Sequence, residues 1–397
     1  MENAANKNVY EYEAQRIIQM LKKDFVREDG VLILGRQDDT IINHHIFPDM
    51  GDYMPFFLYF EEGEFVETQI ALYKKSLQKG LLISEHKAWG IQGFVKSYEY
   101  SDLLLGFIDY HNFKRSDDSL ELLTSSVNNA IEIFKYKNNP SSLYLPKLKL
   151  HCPVLDSRDG MMIELLVEMF QIQPDEKYLK TAQTIYEKLV SGKYFRLHKI
   201  LPAYSVRGWM KPLSILKKNA FDRGIIMKYN TNSLYAFLAL YEETANKDIL
   251  SNIVSIVDSI KRNATYHGAV VATYVPGKEY PNASLVASHA MLDFLCDFYH
   301  VHQRDEDLVF VKGIADFWKD KQGTTGLFPL YSDSQKSDLD AETDFTIALY
   351  KLYELTHEKE YKKMADACVE GIIKEHGQYD YTVVVDIETG KRRTNFQ

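Results

Sequence analysis

Six times along the chain an apolar helical stretch is followed by a short polar turn and a second, more charged helix. A recurrence of this kind constrains a fold more than composition does, because each unit has to find cover for the face it cannot bury alone. The first helices open near Gly51-Asp52-Tyr53, Tyr98-Glu99-Tyr100-Ser101-Asp102, Asp156-Ser157-Arg158-Asp159, Tyr229-Asn230-Thr231-Asn232, Asn282-Ala283-Ser284 and Asp340-Ala341-Glu342-Thr343-Asp344. Each then runs apolar for about three turns, as in MMIELLVEMF and FTIALYKLYEL. The second helices start on acidic or polar turns. In PDEKYLKTAQTIYEKLV the residues Tyr178, Leu179, Ala182, Ile185, Tyr186 and Leu189 form one apolar stripe with charges opposite. The first helices therefore need cover on two sides and the second on one, which an inner and an outer ring of helices provides.

The expected fold is all-α, an (α/α)6 toroid with short β-hairpins in its connecting loops, formed as a single domain over 1–397. Residues 1–44 read as an extension with a helix over 8–27 and a strand over 31–34; 45–376 hold the six hairpins, and 377–397 a strand-like tail. Strand composition also occurs at 270–275 and 381–391. The linking segments, such as GKYFRLHKILPAYSVRGW, are rich in Gly, Pro and aromatics and long enough to carry function.

At 45% hydrophobic and 26% charged residues the chain is neither disordered nor fibrous. It contains no run near the roughly 18 apolar residues that span a bilayer. The opening MENAANKNVYEYE lacks the basic and apolar regions of a secretory signal, so a cytoplasmic protein is expected. Cys152, Cys296 and Cys368 lie far apart and suit buried thiols. With 47 basic against 56 acidic residues and no basic stripe, nucleic acid is not an expected partner. Without HExxH, a Cys–His cluster, a calcium loop or a nucleotide-binding glycine motif, no metal or cofactor is expected.

The third hairpin carries the most specific pattern. Leu155-Asp156-Ser157-Arg158-Asp159-Gly160-Met161-Met162, followed by Pro174-Asp175-Glu176-Lys177-Tyr178-Leu179, resembles the paired helix openings of unsaturated uronyl hydrolases. Those enzymes belong to the six-hairpin glycosidase superfamily. The sixth hairpin, Ala348-Leu349-Tyr350-Lys351-Leu352-Tyr353-Glu354-Leu355-Thr356, has the same look and also resembles the N-acylglucosamine 2-epimerases. The resemblance spans 45–376, although Pro174 or polar residues replace the glycine that precedes the acidic residue of the second helix. It implies a carbohydrate-active enzyme, foremost a glycoside or unsaturated uronyl hydrolase working by carboxylate acid–base catalysis on an oligosaccharide. The alternatives are a cofactor-free sugar epimerase and a toroid that only binds a glycan or a protein.

In such a toroid the inner helices start at one mouth, so Asp52, Asp102, Asp156, Asp159, Asn230, Asn232, His289, Asp340, Glu342 and Asp344 would converge there. Helix starts also favour Asp and Asn as caps, which is the expected work of Asp340 and Asn230. Asp159 stands apart, since Asp156 and Ser157 are at hand to cap. Asp159, Asp102 and Asp344 are thus the catalytic candidates. Asp52, Tyr53, Trp89, Tyr98, Arg158, Trp209, Tyr229 and His289 are the substrate-binding candidates: aromatics can stack on a sugar face and arginine can clamp a carboxylate. His289 would instead favour epimerase chemistry if it moves protons.

Overall fold

The computed structural model describes residues 2–32, 36–37, 40–41, 50–77, 93–206, 225–381 and 383–393. The chain packs as two compact units, Met1–Leu189 with Tyr204–Leu216, and Val190–Ala203 with Lys217–Gln397. In the first unit a long helix, α1 (Glu2–Asp24), precedes three hairpins. These are α2 (Met50–Tyr59) with α3 (Gly63–Leu77), α4 (Ser97–Lys114) with α5 (Asp117–Ile133), and α6 (Gly160–Ile172) with α7 (Glu176–Val190). A short α8 (Lys193–His198) opens the second unit. Three more hairpins follow: α9 (Met227–Thr244) with α10 (Lys247–Asn263), α11 (Leu285–Val301) with α12 (Asp305–Lys319), and α13 (Leu339–Thr356) with α14 (Lys359–Gly371).

All six expected helix starts are found, each within a few residues of its place in the sequence. The difference in apolar coverage has the expected consequence. Helix α6 buries Met162, Ile163, Leu165, Leu166, Val167 and Met169 around most of its girth. Helix α7 buries the single stripe Tyr178, Ala182, Ile185, Tyr186 and Leu189. Within the first unit α2 packs on α4 and α4 on α6; within the second, α11 packs between α9 and α13. The α2–α4 crossing is closed by glycine. A Cβ at Gly51 would collide with the carbonyl oxygen of Asp102, and one at Gly106 would lie 2.9 Å from the Cα of Gly51.

Local chemistry fixes the turns. Ser116 and Ser119 form a reciprocal capping box at the start of α5, and the side chains of Asn246 and Ser284 cap α10 and α11. Asp338 caps α13, not Asp340, which lies exposed in the first turn. After α4, α9 and α13 the chain turns on a left-handed residue that is not glycine: Arg115 (φ 49°), Ala245 (φ 51°) and His357 (φ 60°). After α5 and α10 it forms the same two-residue hairpin. Lys135–Tyr136 pairs with Asn139–Pro140 across Lys137 and Asn138, and Thr265–Tyr266 pairs with Ala269–Val270 across His267 and Gly268. All four turn residues have positive φ, which the twist of a tight hairpin requires.

The expected strands are shorter than the sequence suggests. The 270–275 segment changes partner midway: Ala269–Val270 folds back on Thr265–Tyr266, whereas Thr273–Tyr274 pairs with Ile225–Ile226. Among the described residues of 381–391 only Val385–Asp386 forms a strand, against Lys336–Ser337. Leu32 makes an isolated bridge to Val26, and residues 33–34 lie outside the described residues. Cys152, Cys296 and Cys368 are free and buried. Among the described residues no helix is long and apolar enough to cross a membrane.

Candidate functional site

In the second unit the otherwise apolar helices α9, α11 and α13 each carry polar residues spaced three or four apart, so that these share one face of the helix. Lys228, Asn232 and Tyr235 from α9, His289 and Asp293 from α11, and Asp344 from α13 line a cleft of about 260 Å³. His289 is buried at 6% exposure, with its Nε2 3.3 Å from Oδ2 of Asp344. The Lys228 ammonium lies 3.9 Å from the same oxygen and 3.8 Å from Asp340. Burial, reinforced by the charge of Lys228, pushes His289 down to about 3. The imidazole is therefore neutral at physiological pH.

Beside it the Tyr235 hydroxyl donates to Asp293, and Lys351 sits 2.8 Å from both Asp293 and Asp297. Burial and then the Asp293 charge raise Tyr235 far above the ordinary phenol range, which keeps it protonated. The cleft thus juxtaposes a neutral imidazole, an ammonium group and a protonated phenol.

In the first unit Asp159 sits at the end of a single 3-10 turn, Ser157–Asp159, immediately ahead of α6. Its carboxylate accepts from the hydroxyls of Ser97 and Ser142 and, at 3.0 Å, from the backbone N–H of Asp156. Asp156 in turn accepts from the N–H of Arg158. The expected division of labour, with Asp156 capping and Asp159 left over, is thus corrected: the two acids close one capping box together. Burial and then the Asp156 charge push Asp159 up to about 7 against the lowering effect of those hydrogen bonds.

Arg158 forks onto Asp156 at 3.0 and 2.5 Å, and its guanidinium lies 3.7 Å from the centre of the Tyr98 ring. Lys96 bonds both the Tyr98 hydroxyl (3.1 Å) and Glu99 (2.8 Å). Both Arg158 and a face of Tyr98 are thus engaged within the protein. Tyr53 is a core residue, edge-on to Phe57 at 5.8 Å, while Asp52 is exposed. Asp102 is half-buried at the glycine crossing of α2 and α4. Trp89 and Trp209 lie outside the described residues.

Tyr229 is half-buried in the first turn of α9. Its neighbour Asn230 is no cap. It is fully buried and ties the chain at Leu201, accepting from its N–H (2.7 Å) and donating to its carbonyl (3.1 Å). Glu342 is equally committed: it accepts from the N–H of Phe328 and meets the Ser337–His376 pair, with His376 Nε2 2.6 Å from Ser337 and 3.2 Å from Glu342.

The sequence reading missed Lys228, Tyr235, Asp293 and Lys351 in the second unit and Glu164 and Glu168 in the first. Glu164 and Glu168 lie one turn apart on α6. Burial and then the charge of Glu168 push Glu164 up to about 7, and Glu168 itself is raised by burial and by Asp109. The available signal was the polar stripe itself: charged residues at helical spacing on helices that are apolar elsewhere. Among the described residues no group of three or more His, Cys, Asp or Glu is placed to hold a metal ion.

No protein-family model and no curated protein matches the sequence. Solved structures do match. A cellobiose 2-epimerase from Bacillus thermoamylovorans B4167 is 12% identical, with 75% of this chain and 79% of that chain covered and a TM-score of 0.59. A D-mannose isomerase is 10% identical, with 98% and 93% covered and a TM-score of 0.61. The GH76A alpha-1,6-mannanase of Salegentibacter sp. HEL1_6 is 11% identical, with 87% and 99% covered and a TM-score of 0.56. These likenesses show the fold: the chain is built on an (α/α)6 toroid with a few short strands.

Proposed function

We propose that the protein is a carbohydrate-active enzyme that moves a proton on a sugar without a cofactor, as a 2-epimerase or aldose–ketose isomerase, at the cleft of the second unit. The observation that carries this reading is His289, a neutral and buried imidazole beside both a carboxylate and an ammonium group. The fold it shares with a sugar epimerase and a sugar isomerase supports the same reading.

His289 Nε2 takes the proton from the carbon next to the carbonyl of an open-chain sugar. The C–H electron pair moves into the adjacent C–C bond and the carbonyl π pair onto oxygen, giving an enediolate. Lys228 is the cation available to that oxygen. Asp344, 3.3 Å from Nε2, counters the burial that holds His289 down and stabilises the imidazolium as it forms. Returning the proton to the neighbouring carbon, with the hydroxyl proton passing between the two oxygens, gives the isomer; returning it to the same carbon after the enediolate has turned its other face to His289 gives the epimer. No atom is gained or lost.

The test is incubation of aldoses, ketoses and disaccharides in deuterated water. The expected outcome is solvent deuterium at the carbon next to the carbonyl with no new reducing ends. His289→Asn should slow exchange by about 10²- to 10⁴-fold without lowering the melting temperature. Exchange that survives this substitution would remove His289 from the chemistry. A hydrolase is the second reading, favoured by Glu164, whose carboxyl is raised by burial and by the charge of Glu168 one turn away on α6. New reducing ends lost on Glu164→Gln would establish it in place of the first.

A further inference from the structure

A cavity of about 190 Å³ opens in the first unit between the end of α5, the hairpin that follows it, and the exposed side of α7. Its walls are apolar: Ile131 and Phe134 from the end of α5, then Pro140, Met162 and Ile185. The polar side chains at its buried end, Ser97, Ser141 and the Asp159 carboxyl, offer a ligand little, because all three are already engaged. Ser97 donates to Asp159, and Ser141 donates to the carbonyl of Cys152 at 2.6 Å. At the rim the character changes. Lys135, Asn138 and Lys180 are exposed there. Lys135 reaches Glu132 only at 3.3 Å on the surface, and among the described residues Lys180 makes no ion pair.

We propose that this cavity is a binding site for a small monocarboxylate with a compact apolar body, an aryl or short alkyl acid. Size sets the body, since an engineered apolar cavity of about 150 Å³ holds benzene. Wall chemistry excludes a neutral sugar, whose hydroxyls would lose water against Phe134, Met162 and Ile185 without finding partners. The rim sets the head group. A carboxylate emerging between Lys135 and Lys180 keeps part of its hydration and gains two cations, whereas phosphate would have no apolar part to bury.

The probes are benzoate, benzyl alcohol and inorganic phosphate, titrated against the full chain by calorimetry and by saturation-transfer NMR. Benzoate should bind saturably and about fivefold more tightly than benzyl alcohol, the difference expected of a partly exposed ion pair. Lys180→Glu, at an exposed helix position, should weaken benzoate by at least about fivefold and leave benzyl alcohol unchanged. Thr184→Trp, which fills the mouth, should abolish both. Equal binding of benzoate and benzyl alcohol, benzoate binding indifferent to Lys180→Glu, binding of phosphate, or no saturable benzoate binding would each overturn the proposal. The Lys180→Glu arm stands even if the tryptophan variant fails to fold.

Discussion

The carboxyl of Asp159 accepts from two serine hydroxyls and one backbone N–H, divided between its two oxygens, so a side chain with one acceptor oxygen leaves part of the set short. Asp159→Asn puts an N–H₂ among groups arranged to donate. The expected result is a loss of about 1–3 kcal/mol in stability, read as a lower denaturation midpoint at pH 8, where the carboxyl is ionised. In the sequence, Asp159 stood out by its place beside Gly160 at the start of an apolar run. What decides its role is Ser97, 62 residues away, and Ser142, 17 residues away, and no periodicity reveals contacts of that kind. His289 was more legible, because an imidazole inside an otherwise apolar stretch has to be explained. Glu164 carries a second prediction. Its carboxyl is raised from the ordinary 4.5 to about 7, so its contribution is complete below pH 4.5 and is lost as pH rises through 7. Glu164→Gln removes that dependence and should stabilise the protein at pH 8 by about 1 kcal/mol after allowance for solvent screening. At pH 5 it should change little, and urea titrations at the two pH values make the comparison.

Among the elements, the helices were the most legible part, because alternation between broad and narrow apolar stripes survives any detail of packing. Their ends were less so. Asp340 has the right chemistry for a cap, but the chain enters α13 two residues earlier and Asp338 takes the work. Strands of two or three residues carry too little periodicity to be bounded from sequence, and partner changes such as that within 270–275 are set by which neighbouring segment lies alongside. The three left-handed turn residues after α4, α9 and α13 were invisible for another reason: a glycine there would have announced them, and none is present. Each holds a side chain in a conformation that costs about 1 kcal/mol. Ala245→Gly should recover about that much, seen as a raised melting temperature with unchanged helicity by circular dichroism.

At the level of the whole molecule, the repeat allows the chain to be built from neighbours in sequence, hairpin by hairpin, and that is why the fold could be read before any contact was known. The candidate site could not be read in the same way, since it draws single residues from three different hairpins of the second unit. The buried acids have a consequence beyond either. A formal charge of −9 counts every carboxyl as ionised, yet Asp159 and Glu164 hold their protons up to about pH 7. Near the isoelectric point of 5.8 that composition gives, the folded molecule is thus less negative than its amino acids imply. His289, withholding a proton at the same pH, offsets only part of this. On a native focusing gel the protein should settle on the alkaline side of its position in urea, and Glu164→Gln should narrow the gap between the two bands.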